Sequence, residues 1–395
     1  MSAAVARAKR AFAQARAALD RRLIGQRLPR ANQPAPPSRG AVHIGFHAAP
    51  SGLGQAARLC AAELERVGHL ALACDAAAAT RPHLPADAAL IFQVNPDVLA
   101  QALAPFAHAE LTPRARIGYW TWELERAPRA WADCAARMHA LWAPSRFAAD
   151  ALADTFGRAV EVVPHPVALH APAAPSHADK AAARARLCLG EDDFVAAFDF
   201  SFASSMARKN PISAITAFRA AFSGVGGRAR RLLVRARDGA LFARAHETLA
   251  RAIGAAGDVR LLRPAHDDPQ EYDDLLAACD VYLSLHRSEG FGLNLAEAMG
   301  RARPVIATAW SGNVDFMDET CALLVPARLV PVIDADGVYR MRGARWAEPD
   351  LDAAIAHLRR LDQTPDFAAE LGARARAVVI ETLSGGAAAQ ALARL

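Results

Sequence analysis

The sequence has few cysteines, and none of them forms a paired motif. Six are spread over 395 residues, no Cys-x-x-Cys occurs, and the gaps between them are irregular. This spacing argues against a structural zinc site and against a disulfide framework. We expect most of them to be small, buried apolar residues. They are Cys60, Cys74, Cys134, Cys188, Cys279 and Cys321.

Long apolar runs are also lacking, although 53% of the residues are hydrophobic. No stretch approaches the roughly 20 residues that a membrane-spanning helix needs. Near the N-terminus, Arg7, Lys9, Arg10 and Arg16 interrupt the apolar residues, so no signal peptide is predicted. We therefore expect a cytoplasmic protein.

Acidic residues are nearly absent from residues 1–40, where Asp20 stands against nine arginines and lysines. Because the whole chain has a formal net charge of +5, residues 41–395 are mildly acidic. This distribution argues against a nucleic-acid partner, which would favour a uniformly basic surface. The nine basic residues are Arg7, Lys9, Arg10, Arg16, Arg21, Arg22, Arg27, Arg30 and Arg39.

Residues 3–24 are predicted to form a helix, because apolar side chains recur at steps of three or four. Two interpretations stay open. The basic helix lies on anionic lipid at the inner face of the cell membrane, or it packs one face on its own domain, which we favour. The recurring apolar residues are Val5, Ala8, Phe12, Ala15, Leu19 and Leu23.

From residue 41 onward, short apolar runs alternate with helical segments rich in Ala and Leu, a pattern typical of a doubly wound parallel sheet. Two such series indicate an α/β protein with two facing Rossmann-like domains and an interdomain cleft. Ligands of these sheets bind beyond the carboxyl ends of the strands. The predicted strands cover residues 42–47, 70–74, 89–94, 115–121, 140–143 and 160–164, then 194–200, 231–235, 259–262, 281–285 and 304–308.

The predicted organisation has five parts. Residues 1–40 form the basic helix and a Pro-rich linker, and residues 41–167 form an N-terminal acceptor domain. Residues 168–190 link it to a nucleotide-sugar-binding domain at 191–370. Residues 371–395 form a C-terminal helix that we expect to pack back on the N-terminal domain.

The segment SLHRSEGFGLNLAEAMG, residues 284–300, follows a predicted strand and leads into a helix. Gly290 and Gly292 allow the backbone to approach a ligand, and the N-terminus of the helix offers free N–H groups to a phosphate. Glu289 and Glu297 add two carboxylates. Beside a phosphate, we expect them to accept hydrogen bonds from hydroxyl groups of a ribose and a hexose.

The spacing Glu289-x7-Glu297, followed by PVIAT at 304–308, resembles the group 1 retaining glycosyltransferases of the GT-B fold. The resemblance implies that Glu289 contacts the donor sugar and that Glu297 holds the ribose. It also places the start of the following helix and the loop before it on the sugar–phosphate side. Those residues are Gly290, Phe291, Gly292, Leu293 and Asn294.

Arg208 and Lys209 stand just before a predicted helix, within SFASSMARKNP at 201–211. Cations in this position can stabilise a departing nucleotide diphosphate. In the family that this chain resembles, an arginine follows the strand and a lysine comes several residues later. Lys209 matches the later position. The earlier one falls at Ala203 and Ser204, so Arg208 is assigned the missing charge.

A glycine loop, HIGFHAAPSGLG at 43–54, precedes a predicted helix in the first domain. It resembles the N-terminal loop of the same family, and the resemblance implies that Gly52 and Gly54 approach the donor phosphates. The loop is not Gly-x-Gly-x-x-Gly, and Asp75 is the only acidic candidate near the end of the next strand. These departures weaken an oxidoreductase alternative.

The segments YWTWEL at 119–124 and LWAPSRF at 141–147 resemble a subgroup similar to bacterial polysaccharide mannosyltransferases. Aromatic residues near the end of a strand suit stacking on an acceptor sugar. For Trp142 we favour core packing. Glu123 has two open interpretations, an acceptor-facing residue or a buried, paired carboxylate.

No metal and no cofactor are predicted beside the donor substrate. Asp334-Ala-Asp336 has the Asp-x-Asp pattern of metal-dependent glycosyltransferases but lies in a predicted turn. Lys209, Arg208 and a helix N-terminus already offset the charge of a diphosphate. No histidine is assigned a catalytic role, although His165 and His286 are placed where they can line the cleft.

The predicted function is transfer of a hexosyl unit from a nucleotide diphosphate sugar to a saccharide or lipid-linked acceptor. The resemblance implies retention of configuration and a role in polysaccharide biosynthesis, and its subgroup points to mannose from GDP-mannose. Two alternatives stay open: a GT-B nucleotide-sugar 2-epimerase, and a non-catalytic saccharide-binding protein with a degenerate site.

Overall fold

The computed structural model describes residue 16 and residues 18–78, 82–171, 173–262, 269–339 and 341–395. The described residues divide into two compact units. The first unit contains the described residues up to Trp122, Arg126–His165 and Gly385–Leu395. The second contains Glu123–Glu125 and the described part of Pro166–Ser384.

Six strands form the sheet of the first unit: β1 (Gly40–Gly45), β2 (Leu70–Asp75), β3 (Ala88–Gln93), β4 (Arg116–Tyr119), β5 (Ala140–Ala143) and β6 (Glu161–Val162). Their order is β2-β1-β3-β4-β5-β6, and every pairing is parallel. Val42 and Ile44 of β1 join one apolar cluster, whereas Ala41 joins another. The sheet is therefore covered on both faces, as parallel sheets require.

Helices of the first unit cover residues 18–27, Gly52–Arg66, Leu99–Leu103, His108–Leu111, Ala132–Ala135, Arg146–Phe156 and Ala387–Ala393, with a 3-10 turn at Arg129–Trp131. Local sequence explains their ends. The Ser51 hydroxyl caps one helix by accepting from the Gly54 N–H at 3.2 Å. Ser145 caps another in the same way, and that helix ends at Gly157 with a φ of 65°.

Most of the helix predicted over residues 3–24 lies outside the described residues. In the described part, Ile24 and Leu28 are 2% and 0% exposed and lie in the first core. Leu19 and Leu23, predicted on the apolar face, are instead 56% and 39% exposed. Ile24 lies in the last turn of the helix, and Leu28 directly follows it, with its N–H donating to the Ile24 carbonyl at 2.8 Å. Through Ile24, residues 18–27 pack on their own unit.

The last residues of the chain pack in the first unit. Ala388 and Ala391 lie in its second apolar cluster. The buried carboxylate of Glu63 accepts hydrogen bonds from the N–H groups of Gly386 and Ala388 at 2.8 and 2.9 Å. Glu63 therefore caps the N-terminus of the C-terminal helix, where a negative charge is stabilising.

Six strands also form the main sheet of the second unit: β7 (Phe194–Ser201), β8 (Arg230–Arg237), β9 (Val259–Leu262), β10 (Val281–Ser284), β11 (Val305–Thr308) and β12 (Leu323–Val325). They are parallel in the order β12-β11-β10-β7-β8-β9. The two sheets confirm the predicted α/β class with two doubly wound domains. β7 is buried along its whole length, including the carboxylate of Asp199.

The second unit adds an antiparallel hairpin of β13 (Ala327–Pro331) and β14 (Arg345–Pro349). The sequence predicted only a turn here, around Asp334 and Asp336. Helices cover His177–Arg186, Met206–Lys209, Pro211–Phe222, Ala243–Ile253, Pro269–Ala278, Leu293–Gly300, Leu351–Gln363 and Pro365–Thr382. Single 3-10 turns occur at Val167–His170, Phe202–Ser204, Gly239–Phe242 and Gly312–Asp315.

Each sheet has a point where the chain changes direction. In the first unit the chain runs from β1 to β2 and then crosses to β3, on the other side of β1. In the second it runs from β7 to β8 and β9, then crosses to β10. Such a switch point leaves a crevice at the carboxyl ends of two strands, where ligands of open α/β sheets bind. The residues following β7 and β10 are therefore the first place to seek a site.

Most of the cysteines are buried, as expected. Cys188 is exposed, and the other five cysteines are buried, with all six reduced. None of the helices in the described ranges combines the length and the hydrophobicity that crossing a bilayer requires.

Candidate functional site

The loop after β7 carries the two predicted cations. Ser205, at a φ of 65°, caps the short helix Met206–Lys209 by accepting from the Arg208 N–H at 3.3 Å. Asn210 ends that helix at a φ of 56°, and its side-chain amide donates to the Leu285 carbonyl at 2.8 Å. Because Leu285 directly follows β10, this bond ties the two loops of the switch point together.

Glu289 lies between the two cations. Its Oε2 accepts a hydrogen bond from Arg208 Nη1 at 3.1 Å, and its Oε1 accepts one from Lys209 Nζ. Arg208 also donates to the carbonyl of Ser288 at 2.8 Å. The three side chains are only 4%, 14% and 11% exposed for Arg208, Lys209 and Glu289. The three residues predicted as catalytic thus meet at the switch point.

Opposite charges determine the protonation of this cluster. Burial would raise the pKa of Glu289, but Lys209 and Arg208 outweigh burial and lower it to about 2. Burial lowers the pKa of Lys209, an effect that Glu289 opposes. The Glu289 carboxylate is therefore ionised at neutral pH. With both cations charged, the site offers two positive groups, which suits an anionic diphosphate.

Close backbone packing fixes the loop around Glu289. A Cβ atom on Gly312 would come 2.5 Å from the Gly290 carbonyl oxygen, so these two segments lie directly against each other. The Ser311 hydroxyl accepts from the Glu289 N–H at 2.7 Å. Gly292 has a φ of 96°, a left-handed conformation that favours glycine, and precedes the helix that begins at residue 293.

The remaining residues of the predicted sugar–phosphate side differ in what they present. Phe291 is buried and packs on Phe316 with ring centroids 5.0 Å apart, so its side chain belongs to the core. Leu293 and Asn294 line a pocket together with Lys209 and Glu289. From Phe291 only backbone groups remain for a ligand, whereas Leu293 and Asn294 present side chains.

Asn294 reaches back to β7 through a carboxylate. Its amide donates to Asp199 Oδ2 at 2.9 Å, and Asp199 also accepts from Arg235 at 2.8 Å and from Arg237 at 3.2 Å. Asp199 therefore ties the start of the helix to two arginines of β8. Sequence reasoning missed Asp199, although a lone acid in an apolar strand signals a buried, paired carboxylate.

Glu297 lies one turn into the same helix. Its Oε2 accepts a hydrogen bond from the Tyr272 hydroxyl at 2.8 Å. Burial raises the pKa of Glu297 to about 7, although the bond from Tyr272 opposes the rise. Tyr272 also lies under Arg235, with the guanidinium carbon 5.6 Å from the ring centroid. Glu297 is thus a carboxyl group that changes charge near neutral pH, and its partner Tyr272 was not predicted.

Glu123 belongs to the second unit and contacts Arg208. Its Oε1 lies 3.9 Å from Arg208 Nη2. Burial raises the pKa of its carboxyl, and both Arg208 and Tyr339 oppose that rise. Of the two interpretations left open by the sequence, these contacts favour the paired carboxylate. No sequence signal indicated Tyr339.

The two histidines predicted to line a cleft are enclosed within their own units. The ring of His286 is 3.1 Å from Ser284 Oγ and 3.0 Å from Asn313 Oδ1, and burial lowers its pKa. His165 is 2.9 Å from the Tyr119 hydroxyl, and burial lowers its pKa to about 3. Both are less than 4% exposed. Trp142 is fully buried, as predicted.

The predicted glycines of the first unit lie at its own switch point, after β1. A Cβ atom on Gly54 would meet the Ala49 carbonyl oxygen at 2.0 Å and the Phe46 carbonyl oxygen at 2.8 Å. A Cβ atom on Gly52 would meet nothing within 4 Å. Gly54 is therefore required by packing of the loop itself, whereas the described structure leaves Gly52 open to an approaching group.

Asp334 forms turn contacts. Its Oδ1 accepts from Ser205 Oγ at 3.1 Å, and its Oδ2 accepts from the Tyr339 N–H at 3.0 Å. Asp336 donates its N–H to the same side chain at 3.3 Å. Within the described part of the chain, no group of three or more His, Cys, Asp or Glu side chains is arranged to hold a metal ion.

Known structures share this architecture. The chain resembles HepE from Anabaena, solved in complex with UDP and glucose (TM-score 0.57, 16% identity, 88% of this chain and 84% of that one). It also resembles sucrose-phosphate synthase from Thermosynechococcus elongatus (0.59, 18%, 90% and 98%). A glycosyltransferase from Rickettsia africae ESF-5 is similar as well (0.62, 11%, 90% and 97%). The fold is that of the GT-B glycosyltransferases.

The sequence places the chain more narrowly. Residues 150–380, more than half of it, match the family described as "GT4-conflict: Family 4 Glycosyltransferase in conflict systems". The chain belongs to this family of glycosyltransferases. A comparison with curated protein sequences gives no match.

Proposed function

We propose that the chain transfers a hexosyl unit from a nucleotide diphosphate sugar to a saccharide or lipid-linked acceptor, with retention of configuration. One observation carries the proposal: Glu289 lies between Arg208 and Lys209, at a switch point and beside the start of a helix. In this proposal Glu289 accepts hydrogen bonds from the donor sugar. Arg208 and Lys209 contact the diphosphate.

The two cations suit the chemistry of the leaving group. As the bond between the anomeric carbon and the diphosphate oxygen breaks, negative charge builds up on the diphosphate. Arg208 and Lys209 are held in place beforehand by Glu289 and by the carbonyl of Ser288. Charges that are already oriented in a water-poor site stabilise a transition state without further reorganisation.

The other predicted residues receive roles along the donor. Glu297 holds the ribose, and the backbone from Gly290 to Gly292 faces the sugar and the phosphates. Leu293 and Asn294 line the same side. Gly52 and Gly54 bring the backbone of the first unit to the diphosphate. These assignments rest on the resemblance of the motifs, and the open surface at Gly52 supports its part.

Different similarities support two classes of nucleotide-sugar donor. The structure of HepE with UDP-glucose supports UDP-sugars as a donor class, whereas the resemblance of YWTWEL and LWAPSRF supports GDP-mannose. Retention, a saccharide or lipid-linked acceptor, and a role in polysaccharide biosynthesis at the cytoplasmic side belong to the same proposal. No metal is assigned a part, because the cations already offset the diphosphate charge.

The test measures transfer from the preferred donor by full-length Lys209→Met and Glu289→Gln. We expect a fall in kcat of about 100-fold or more, the size found when one group that stabilises the transition state is removed. Lys180→Met is the matched control, because Lys180 is also half-buried and paired, with Asp280 at 2.5 Å, but lies elsewhere. Folded variants with unchanged kcat would contradict the proposal.

The two alternative functions predict different experimental results. A nucleotide-sugar 2-epimerase would isomerise the donor when no acceptor is present, which NMR of the sugar nucleotide detects. A saccharide-binding protein with a degenerate site would bind glycans while no donor is turned over. The ion-paired cluster of Glu289, Arg208 and Lys209 favours the transferase over the second alternative.

A further inference from the structure

Arg208 has a second set of partners that the proposed donor site does not use. Its Nη2 lies 3.9 Å from Glu123 Oε1, and its guanidinium carbon lies 5.7 Å from the centroid of the Tyr339 ring. Tyr339 also opposes the rise that burial causes in the pKa of Glu123. The Ser288 hydroxyl donates to the Glu123 carbonyl, and the Ser288 carbonyl accepts from Arg208 at 2.8 Å. Arg208, Glu123 and Ser288 thus form a closed ring of contacts, and Tyr339 packs against it at Arg208.

Tyr339 lies between β13 and β14 in the sequence and packs against the ring of contacts around Arg208. Two sets of contacts anchor this hairpin. Near the tip, Asp334 accepts from the Ser205 hydroxyl at 3.1 Å and from the Tyr339 N–H at 3.0 Å. At the base, Arg287 donates to Glu348 at 2.7 Å. Tyr339 is 6% exposed. The hairpin thus holds the phenol in a fixed position beside the cations.

Glu123 gives Arg208 a carboxylate partner besides Glu289. In the proposed function the oxygens of Glu289 are shared between the two cations and the hydroxyl groups of the donor sugar, because a carboxylate offers about four lone-pair sites. A buried charge that loses its partner is strongly destabilising. Within the described residues, Glu123 is the other carboxylate paired with Arg208.

We infer that Glu123 and Tyr339 are positioning residues of the transfer reaction, which hold Arg208 and balance its charge while Glu289 binds the donor sugar. The inference rests on the proposed function of Glu289 and Arg208. Glu123 and Tyr339 act through Arg208. Their removal is therefore expected to change turnover more than donor affinity, because Lys209 and Glu289 still hold the donor.

The pH dependence of turnover should report on Glu123. Burial raises its pKa, and Arg208, Tyr339 and Lys209 oppose that rise while Glu289 adds to it. Glu123 therefore takes up a proton at a higher pH than an exposed glutamate, and its attraction for Arg208 is lost as the pH falls. We expect an acid limb in the pH profile of wild-type kcat that is absent from Glu123→Gln, whose rate is low throughout.

The experiment compares kcat, donor Kd and melting temperature for Glu123→Gln, Tyr339→Phe and Glu125→Gln in the full chain. Glu125 is the matched control, because it lies two residues away and pairs with Arg345 at 3.2 Å. We expect kcat to fall about 10- to 100-fold in Glu123→Gln and about 3- to 10-fold in Tyr339→Phe, since misplacing one charge is enough to slow the reaction by such factors. Donor Kd should stay within about threefold in both variants, and Glu125→Gln should resemble the wild type.

The outcomes separate this inference from the proposed function. Full turnover in Glu123→Gln, alongside inactive Lys209→Met, overturns the inference and leaves the proposed function standing. Full turnover in Lys209→Met overturns both. If kcat falls equally in Glu123→Gln and Glu125→Gln, the effect is general to this segment of the chain, and the inference is overturned. If Glu123→Gln unfolds, the kcat of Tyr339→Phe tests the inference, because this variant keeps the aromatic ring beside Arg208 and removes only the hydroxyl.

Discussion

Glu297 should make donor binding depend on pH. Burial raises its pKa to about 7, and only the ionised carboxylate accepts hydrogen bonds at both oxygens from ribose hydroxyls. Donor affinity is therefore expected to rise between about pH 6 and pH 8 in the wild type. Glu297→Gln should bind the donor weakly, with a Kd that does not change over this range. Calorimetric titration of the donor at several pH values measures both.

Tyr272 provides a second measurement of the same effect. Its hydroxyl opposes the rise in the pKa of Glu297, so Tyr272→Phe should move the midpoint to a higher pH. Tyr119→Phe is a suitable control, because it removes a buried phenol from the first unit. A wild-type Kd that is constant across the range would contradict the assignment of Glu297 to the ribose.

Among individual residues, the sequence predicted those that lie close to one another in a motif. Glu289 and Glu297 share one loop and helix, and Lys209 was found from its place before the next helix. The partners Asp199, Tyr272 and Tyr339 were missed because the fold alone brings them to the motif from distant segments. Their side chains have no local pattern that sets them apart from core or surface residues.

The glycine loop of the first unit allows a prediction at the scale of one element. Gly54→Ala places a Cβ 2.0 Å from a backbone oxygen, so we expect it to destabilise the unit by about 3 kcal/mol or more. Gly52→Ala meets no atom within 4 Å, and its stability should stay within about 0.5 kcal/mol of the wild type. Urea unfolding measures both.

Transfer assays then separate packing from ligand contact at Gly52. If its backbone approaches the donor phosphates, the added methyl group should lower kcat/KM about tenfold in a fully stable protein. Transfer at the wild-type rate by Gly52→Ala would remove this residue from the donor site.

Elements differed in how well the sequence predicted them. The apolar runs identified the strands of both sheets except β12, which has only three residues, because a strand covered on both faces is apolar along its length. The hairpin of β13 and β14 was missed. No residue of β13 is buried, so this strand lacks the apolar run that identified the others. One contact that holds the hairpin is the ion pair between Arg287 and Glu348.

For the whole molecule, both units repeat one arrangement, a parallel sheet whose switch point follows its first strand. The alternation of short apolar runs with helical segments predicted this class. It did not predict that Glu123, from the first half of the chain, would belong to the second unit. Its partner there, Arg208, is distant in the sequence, and no local pattern indicates the pairing.

The central claim is that the switch point of the second unit binds a nucleotide diphosphate sugar. A thermal-shift panel of UDP-, GDP- and ADP-sugars tests it most directly, because a ligand at 100 times its Kd stabilises the folded state by about 2.7 kcal/mol. We predict that one nucleotide class raises the melting temperature by about 5 °C or more, and that Glu289→Gln and Glu297→Gln reduce this shift while Lys180→Met keeps it. No shift with any donor, or equal shifts in all variants, would contradict the claim.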